Sequence, residues 1–456
     1  MGITNALMPL FRLIPEVKKP TAEPSLKNKI IWSLGILLIF FALGKITLMG
    51  LSEAAIEQLA GLQIILASDI GTLITLGIGP IVLSSIVLQL LIGGQIIKID
   101  VSTMEGRVAF QSLQKILTII LCFFEGAVYI ISGMLKPMPG MFLPVLLQVA
   151  FGGIILMYMD EVVSKYGIGS GIGLFIAGNV SASFLWQLMM LPGISAIQPA
   201  GGIILKFIAS FGTGVNFIIL LPVLLTIIIF LIVTYAHAMH VNIPITMGNR
   251  GLGGRYPVKF LYVSVMPVIL ATALFANVKI WAFAAKGIPL VNSILDGLAW
   301  ATGTPFNLFT KIVLAISGEG FTGLIAMAPE LLQGIVYLLL MVIFCVVFGK
   351  LWVELGGQSS SNIAQQLQNS GMYIPGFRRD KRIIENVLDR YIPQITIMGS
   401  IFVGLLAGLG NMLLGGLTSG TGILLTVGIV YKLYEELAHQ QILDNYPLLQ
   451  KMLSKQ

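Results

Sequence analysis

Charge is scarce in this chain, so each residue that could do chemistry can be weighed singly. The 456 residues include 27 lysines and arginines, 20 aspartates and glutamates and three histidines. Glu125 stands alone inside an apolar run. A carboxylate there is a candidate proton carrier, but an internal hydrogen bond in a helix bundle is the reading we favour. Asp160, Glu161 and Lys165 fall together at the end of another apolar run and read as a solvated local ion cluster. No His, Asp or Cys cluster has nucleophile or metal spacing. Cys122 and Cys345 each sit in an apolar stretch, which argues against a disulfide framework. The pattern therefore predicts no enzyme, no metal site and no cofactor. The stronger signal is basic. Residues 240–259, HVNIPITMGNRGLGGRYPVK, carry Arg250 and Arg255, and residues 355–391 contain GFRRDKRIIENVLDRY with Arg378, Arg379, Lys381, Arg382 and Arg390. Long loops that project this much charge suit a phosphate-rich partner such as RNA.

The elements that must carry these residues are membrane helices. The chain is 56% hydrophobic and only 10% charged, with a mean hydropathy of +0.94, whereas a soluble protein is about 25% charged. Ten apolar runs are long enough to span: about 29–49, 70–92, 108–132, 142–163, 168–190, 215–239, 258–283, 328–353, 392–413 and 420–438. Ten spans put both termini on one side. With that side cytoplasmic, 21 of the 27 basic residues lie on inner segments, as the positive-inside rule demands. Residues 1–28 lack the pattern of a signal peptide. Leu7, Leu10, Phe11 and Ile14 follow i, i+3, i+4, i+7 spacing, which predicts an amphipathic helix lying in the interface. The expected organisation is a cytoplasmic segment 1–28, a first half 29–190, an outer loop 191–214, a second half 215–438 with basic inner loops 240–259 and 355–391, and a cytoplasmic tail 439–456. The long outer stretch 284–327 suggests no role.

Several stretches are irregular for a membrane span. Residues 52–66 make only about 22 Å of helix at ~1.5 Å per residue, against a hydrocarbon core of ~30 Å, and they carry Glu53, Glu57, Gln58 and Gln63. Ser68 and Asp69 then offer a fresh N-cap ahead of the full apolar run 71–92. A half-length polar helix at membrane depth is tolerated only inside protein or beside a water-filled cavity. The two five-span halves have opposite orientation, and the second span of each is interrupted, by Gly77, Gly79 and Pro80 in one and Pro267 in the other. Such matched interruptions point to a path at the interface of inverted repeats. The fifth span opens with YGIGSGIGLF, whose Ile168 and Ile172 would share a helix face, a spacing repeated by Ile78 and Val82. Ordinary core or lipid-facing aliphatics would give the same spacing.

The runs DIGTLITLGIGPIVLSSIVLQLL, DEVVSKYGIGSGIGLFIA, RYPVKFLYVSVMPVILATALFAN and GTGILLTVGIVYKLYEEL resemble the SecY family, in order and over nearly the whole chain. The resemblance is to its archaeal members in particular. It implies an all-α polytopic membrane protein, with ten transmembrane helices in two inverted five-helix halves around a central hourglass pore. It implies the function as well: a pore-forming channel subunit that passes unfolded secretory polypeptides across and releases membrane segments sideways. Under that resemblance, 52–66 is a half-length plug helix including Ser52, Glu53, Ile56, Leu59, Gly61, Leu62, Ile65 and Leu66. The pore ring is Ile78, Val82, Ile168, Ile172, Met266 and Leu425, where methionine departs from the usual aliphatic choice but remains apolar and adaptable. The lateral gate includes Val87, Gln89, Leu274 and Asn277, and Arg250, Arg255, Arg378, Arg379, Lys381 and Arg382 are the candidates for docking a ribosome or other translocation partner. The implied partners are a small single-span SecE-type subunit, a further small single-span subunit, signal sequences and unfolded chains, and the implied location is the cell membrane. The rival class, an inverted-repeat secondary transporter, would need a polar binding constellation at the midplane, where spans 2, 5, 7 and 10 offer apolar residues instead.

Overall fold

The computed structural model describes residues 15–20, 24–51, 70–93, 96–97, 99, 103–190, 202–212, 217–247, 252–284, 289–305, 308, 311–313, 315, 321–369, 372–373, 381–414 and 420–445. Helices dominate. The first half holds α1 (Leu26–Leu43), α2 (Gly79–Gly93), α3 (Met104–Ile131), α4 (Phe142–Tyr166) and α5 (Gly171–Met189). A short α6 (Ile203–Ser210) and a single 3-10 turn lead to α7 (Leu221–Ala238). Then follow α8 (Met266–Ala284), α9 (Pro289–Ala301), α10 (Phe321–Ala326), α11 (Ala328–Leu355), α12 (Ser360–Asn369), α13 (Lys381–Leu414) and α14 (Gly420–Asn445). Among the described residues seven helices are long and apolar enough to cross a membrane, and α2 and α8 are apolar but shorter.

The surface confirms the solvent. On α11, Tyr337, Met341, Cys345 and Phe348 form a buried stripe, while Leu332, Ile335, Leu339 and Ile343 are exposed on the other face. A helix apolar all round with one face uncovered is stable against lipid, not water. This is a multi-pass membrane protein. With no hydrophobic drive between helices in lipid, close packing falls to small residues. Gly404 and Gly408 of α13 accordingly lie against α11, where an added Cβ would come within 3.1 Å of Val342 Cα and 2.6 Å of Leu338 Cδ1.

Three expectations need correction. The spans expected from 70 and 258 begin late, at Gly79 and Met266. Residues 70–78 wind instead as tight turns, with Gly77 N–H donating to Ile74 O at 2.9 Å and Gly79 N–H to Leu76 O at 3.2 Å. Gly71 and Gly77 are left-handed there, at φ 90° and 55°, a conformation that glycine adopts without steric cost. Ile168 and Ile172 do not share a helix face either. Gly169 is left-handed and Ser170 is the N-cap, so Ile168 precedes α5.

The third correction concerns the basic segment 240–259, expected as a loop. Residues 240–259 form an antiparallel hairpin, β1 (His240–Met247) with β2 (Leu252–Lys259). A two-residue β3 (Met372–Tyr373) joins the far edge of β1, pairing with Met247 and Thr246. The two basic segments are thereby tied into one unit. It has its own apolar cluster, in which Val258 of β2 meets Val353, Ile363, Leu367, Ile384 and Leu388 from α11, α12 and α13.

Candidate pore constriction

A cavity of about 490 Å³ opens among α2, α3, α5, α8, α11 and α14. Along α2 its wall passes from Ile81 and Val82 to Ser85 and Gln89, and α3 adds Arg107, Gln111 and Gln114 on one face. Val82, Ile172 and Met266, from three different helices, all line it. Ile78, Val82 and Leu425 are buried in one apolar cluster, and Ile172 and Met266 pack against that cluster. Five of the six ring candidates are thus brought together. Ile168 is buried outside the cluster, and its amide donates to Ser33 Oγ of α1 at 2.9 Å. Val265 and Ile269 also line the cavity and were not among the candidates. The signal that could have found them is their placement about Pro267, which matches that of Ile78 and Val82 about Pro80.

The start of α5 is fixed from two sides. Ser170 Oγ accepts from Gly173 N–H at 3.2 Å, as an N-cap should. Asp160, on α4, accepts from Ile172 N–H at 2.9 Å. Asp160 is therefore a second cap supplied by a neighbouring helix, not a member of a solvated cluster. The ion cluster next to it is real but differently composed. Glu161 bridges Lys115 at 2.7 Å and Lys165 at 2.8 Å, and Lys165 reaches Glu16 at 3.0 Å. Lys165 also donates to the Val17 carbonyl, and Tyr166 OH to the Lys18 carbonyl at 2.9 Å, so segment 15–20 is strapped to the end of α4.

The gate candidates lie on α2 and α8, which pack against each other. Val87 and Leu274 are half-buried. Gln89 and Asn277 are buried. Gln89 Nε2 donates to Ser85 Oγ at 3.0 Å and Asn277 Nδ2 to Ala273 O at 3.0 Å, while the carbonyl oxygen of each side chain has no partner among the described residues. Glu125 is buried on α3, and its Oε1 likewise lacks the expected internal hydrogen bond among the described residues.

The plug candidates Ser52, Glu53, Ile56, Leu59, Gly61, Leu62, Ile65 and Leu66 lie outside the described residues, as do Arg250, Arg378, Arg379 and the expected helix at Leu7–Ile14. Arg255 falls on β2, Lys381 opens α13, and Arg382 follows it, exposed.

The SecY family model matches residues 72–434. Protein translocase subunit SecY of Methanothermobacter thermautotrophicus is 42% identical, with 98% of each chain covered. The subunit of the same description from Methanocaldococcus jannaschii is also 42% identical, over 98% of this chain and 99% of the other. Three solved structures, each 40% identical over 97% of this chain and 98% of theirs, have the same fold. One is described as the structure of a protein conducting channel, with a TM-score of 0.81. Another concerns the plug domain that stabilises the closed state of the SecY channel, at 0.80. The third is Sec61 in the canine ribosome-channel complex, at 0.78.

Proposed function

The chain belongs to the SecY family, and from that premise we propose how its residues work. It is the central pore-forming subunit of a protein translocation channel, passing unfolded polypeptides across the membrane and releasing membrane segments into it. Ten spans in two inverted halves enclose the pore, with both termini on the cytoplasmic side of the cell membrane. Ile78, Val82, Ile168, Ile172, Met266 and Leu425 form its waist. The observation that carries this reading is the meeting of Val82, Ile172 and Met266 on one cavity between the halves. A narrow aliphatic ring expels water, so ions meet a dewetted barrier. The same ring can deform around any peptide, because apolar contacts are non-directional.

Residues 52–66 act as a second barrier in series, filling the funnel on the outer side. The half-helix length and polar edge of that segment support this role, as does the plug domain described for a channel of the same fold. Membrane segments leave where α2 faces α8, past Val87, Gln89, Leu274 and Asn277. Partitioning then follows the segment's own hydrophobicity. Small single-span subunits accompany the chain, and the basic unit built on β1, β2 and β3 docks a ribosome, as a channel of this fold does.

The test is single-channel current across a planar bilayer. Deleting residues 53–66 should make the resting channel flicker, while Ile78→Ser, Val82→Ser and Ile172→Ser together should leak chiefly when a peptide has displaced the plug, because hydroxyls give water partners at the waist. The combined variant should show a large steady conductance. If it is folded by tryptophan fluorescence yet as ion-tight as the parent, these residues line no pore and an inverted-repeat transporter becomes the better reading.

A further inference from the structure

The two short helices beside the cavity start in the same way, although their sequences share little. Ahead of α2, Gly77 N–H donates to Ile74 O at 2.9 Å, and Gly77 has φ 55°. Ahead of α8, Ser264 N–H donates to Leu261 O at 2.9 Å, and Ser264 has φ 55°. One residue on, Ile78 O accepts from Val82 N–H at 3.1 Å, and Val265 O from Ile269 N–H at 3.2 Å. Pro80 and Pro267 then take the second position of each helix. All these pairs keep one constant spacing along the chain, so the turns are copies within an internal repeat. A serine held left-handed, where its counterpart is glycine, indicates that the surroundings impose the conformation.

Each turn rests on a glycine of another helix. Gly152 of α4 lies against the Leu73 carbonyl so closely that a Cβ there would collide with its oxygen. Gly399 of α13 lies against the Phe260 carbonyl, whose oxygen a Cβ would approach to 2.7 Å. Leu73 and Phe260 are again counterparts at the same spacing, and α4 and α13 coincide with the fourth expected span of each half. The obstructing atoms are backbone, so no side chain can swing aside. A glycine inside a helix weakens it, and here the close approach supplies the reason for one.

We propose that Gly152 and Gly399 are positioning residues of the constriction. Each lets a left-handed turn sit directly on a neighbouring helix, and that seat sets where the first residues of α2 and α8 meet the pore. Ile78 and Val82 are placed by one seat, Val265 and Ile269 by the other. The inference rests on the pore reading above. A dewetted barrier depends on a radius of atomic scale, so lifting either turn off its seat opens a water path without touching an apolar side chain.

The experiment uses the full chain with its co-purifying subunits in a planar bilayer, with and without a synthetic signal peptide. Gly152→Ala and Gly399→Ala should each raise the ion conductance several-fold with peptide present, by comparable amounts. Gly35→Ala on α1, where nothing lies within 4 Å of an added Cβ, should match the parent. The triple serine variant of Ile78, Val82 and Ile172 is the arm that tests the pore reading itself. If it leaks while folded Gly152→Ala and Gly399→Ala stay tight, the seats are mere packing and this proposal is overturned. If the triple variant is tight too, the pore reading fails first. Should neither alanine variant fold, Gly77→Ala decides, because it strains the same turn from within: a leak supports the positioning role and a parental seal overturns it.

Discussion

Asp160 shows what a single carboxylate can fix. It accepts the Ile172 amide at 2.9 Å across a helix boundary, and Ile172 lines the cavity. Removing the acceptor strands a helix N-terminal N–H, which costs about 1–3 kcal/mol when buried. Thermal unfolding of the detergent-purified protein should therefore report a loss in that range for Asp160→Ala, and a smaller one for Asp160→Asn, which keeps an acceptor oxygen. Equal losses would mean that the hydrogen bond is not what Asp160 contributes. The role was not legible in the sequence, because capping patterns run along one helix, as Ser170 and Gly173 do, whereas Asp160 reaches α5 from α4. The ion cluster was partly legible. Lys165 and Glu161 stand at i, i+4, but Glu16 and Lys115 arrive by tertiary folding. The hydrogen bond from Lys165, and then its charge, hold the Glu16 carboxyl below its usual pKa. A lowered folded pKa means that the strap is fully supported above the ordinary carboxylate range and loosens only as pH falls through the folded value. Glu16 is 64% exposed, so that support is small.

At the scale of elements, the apolar runs placed the helices well and their beginnings poorly. Runs such as LITLGIGPIVLSSIVLQLL read as one span because hydropathy is blind to a left-handed Gly77, and only the Gly79-Pro80 step hints that the helix starts there. The hairpin had a signal that glycine and proline hid. Val241, Ile243, Ile245 and Met247 alternate with polar residues or Pro244. Pro244 argues against a central strand, yet β3 meets β1 only at Thr246 and Met247, so Pro244 lies where β1 is still an edge. The starts of α2 and α8 bear on the proposed gate, since each helix is short and the chain just ahead of it rests on a different neighbour, α4 or α13. Cysteines placed at Val87 and Leu274, with Cys122 and Cys345 replaced, should cross-link in the resting channel. Once linked, the channel should lose release of membrane segments more than secretion of short unfolded chains, because only release needs α2 and α8 to part. Equal loss of the two activities would count against a gate at this seam.

For the whole molecule, the sequence conveyed the membrane class and the family, because composition and long apolar runs survive without tertiary information. It did not convey that the two basic segments form a single body. β3 follows α12 and pairs with the end of β1, and the shared apolar cluster reaches from β2 to the first turns of α13. Arg255 and Lys381 therefore belong to one unit built against the end of α11, rather than to two independent loops. That geometry sharpens the expectation for a ribosome. Charges held on one ordered support lose little entropy on docking, and each neutralised phosphate releases condensed counterions, so affinity should fall steeply with salt. Arg378→Glu should weaken ribosome binding by about 1–3 kcal/mol, the range for removing a charge-assisted hydrogen bond. It should also flatten the slope of log affinity against log salt by about 0.7 for each single-strand phosphate that is no longer neutralised. Arg255→Glu, on β2, should act in the same direction. Neither position is among the described residues that line the cavity, so the double variant should still fold and conduct peptide without a ribosome. The measurement is co-sedimentation of the purified channel with ribosomes across a salt series. Affinity unchanged at both low and moderate salt would remove the ribosome from these loops and leave their charge to orient the chain in the membrane.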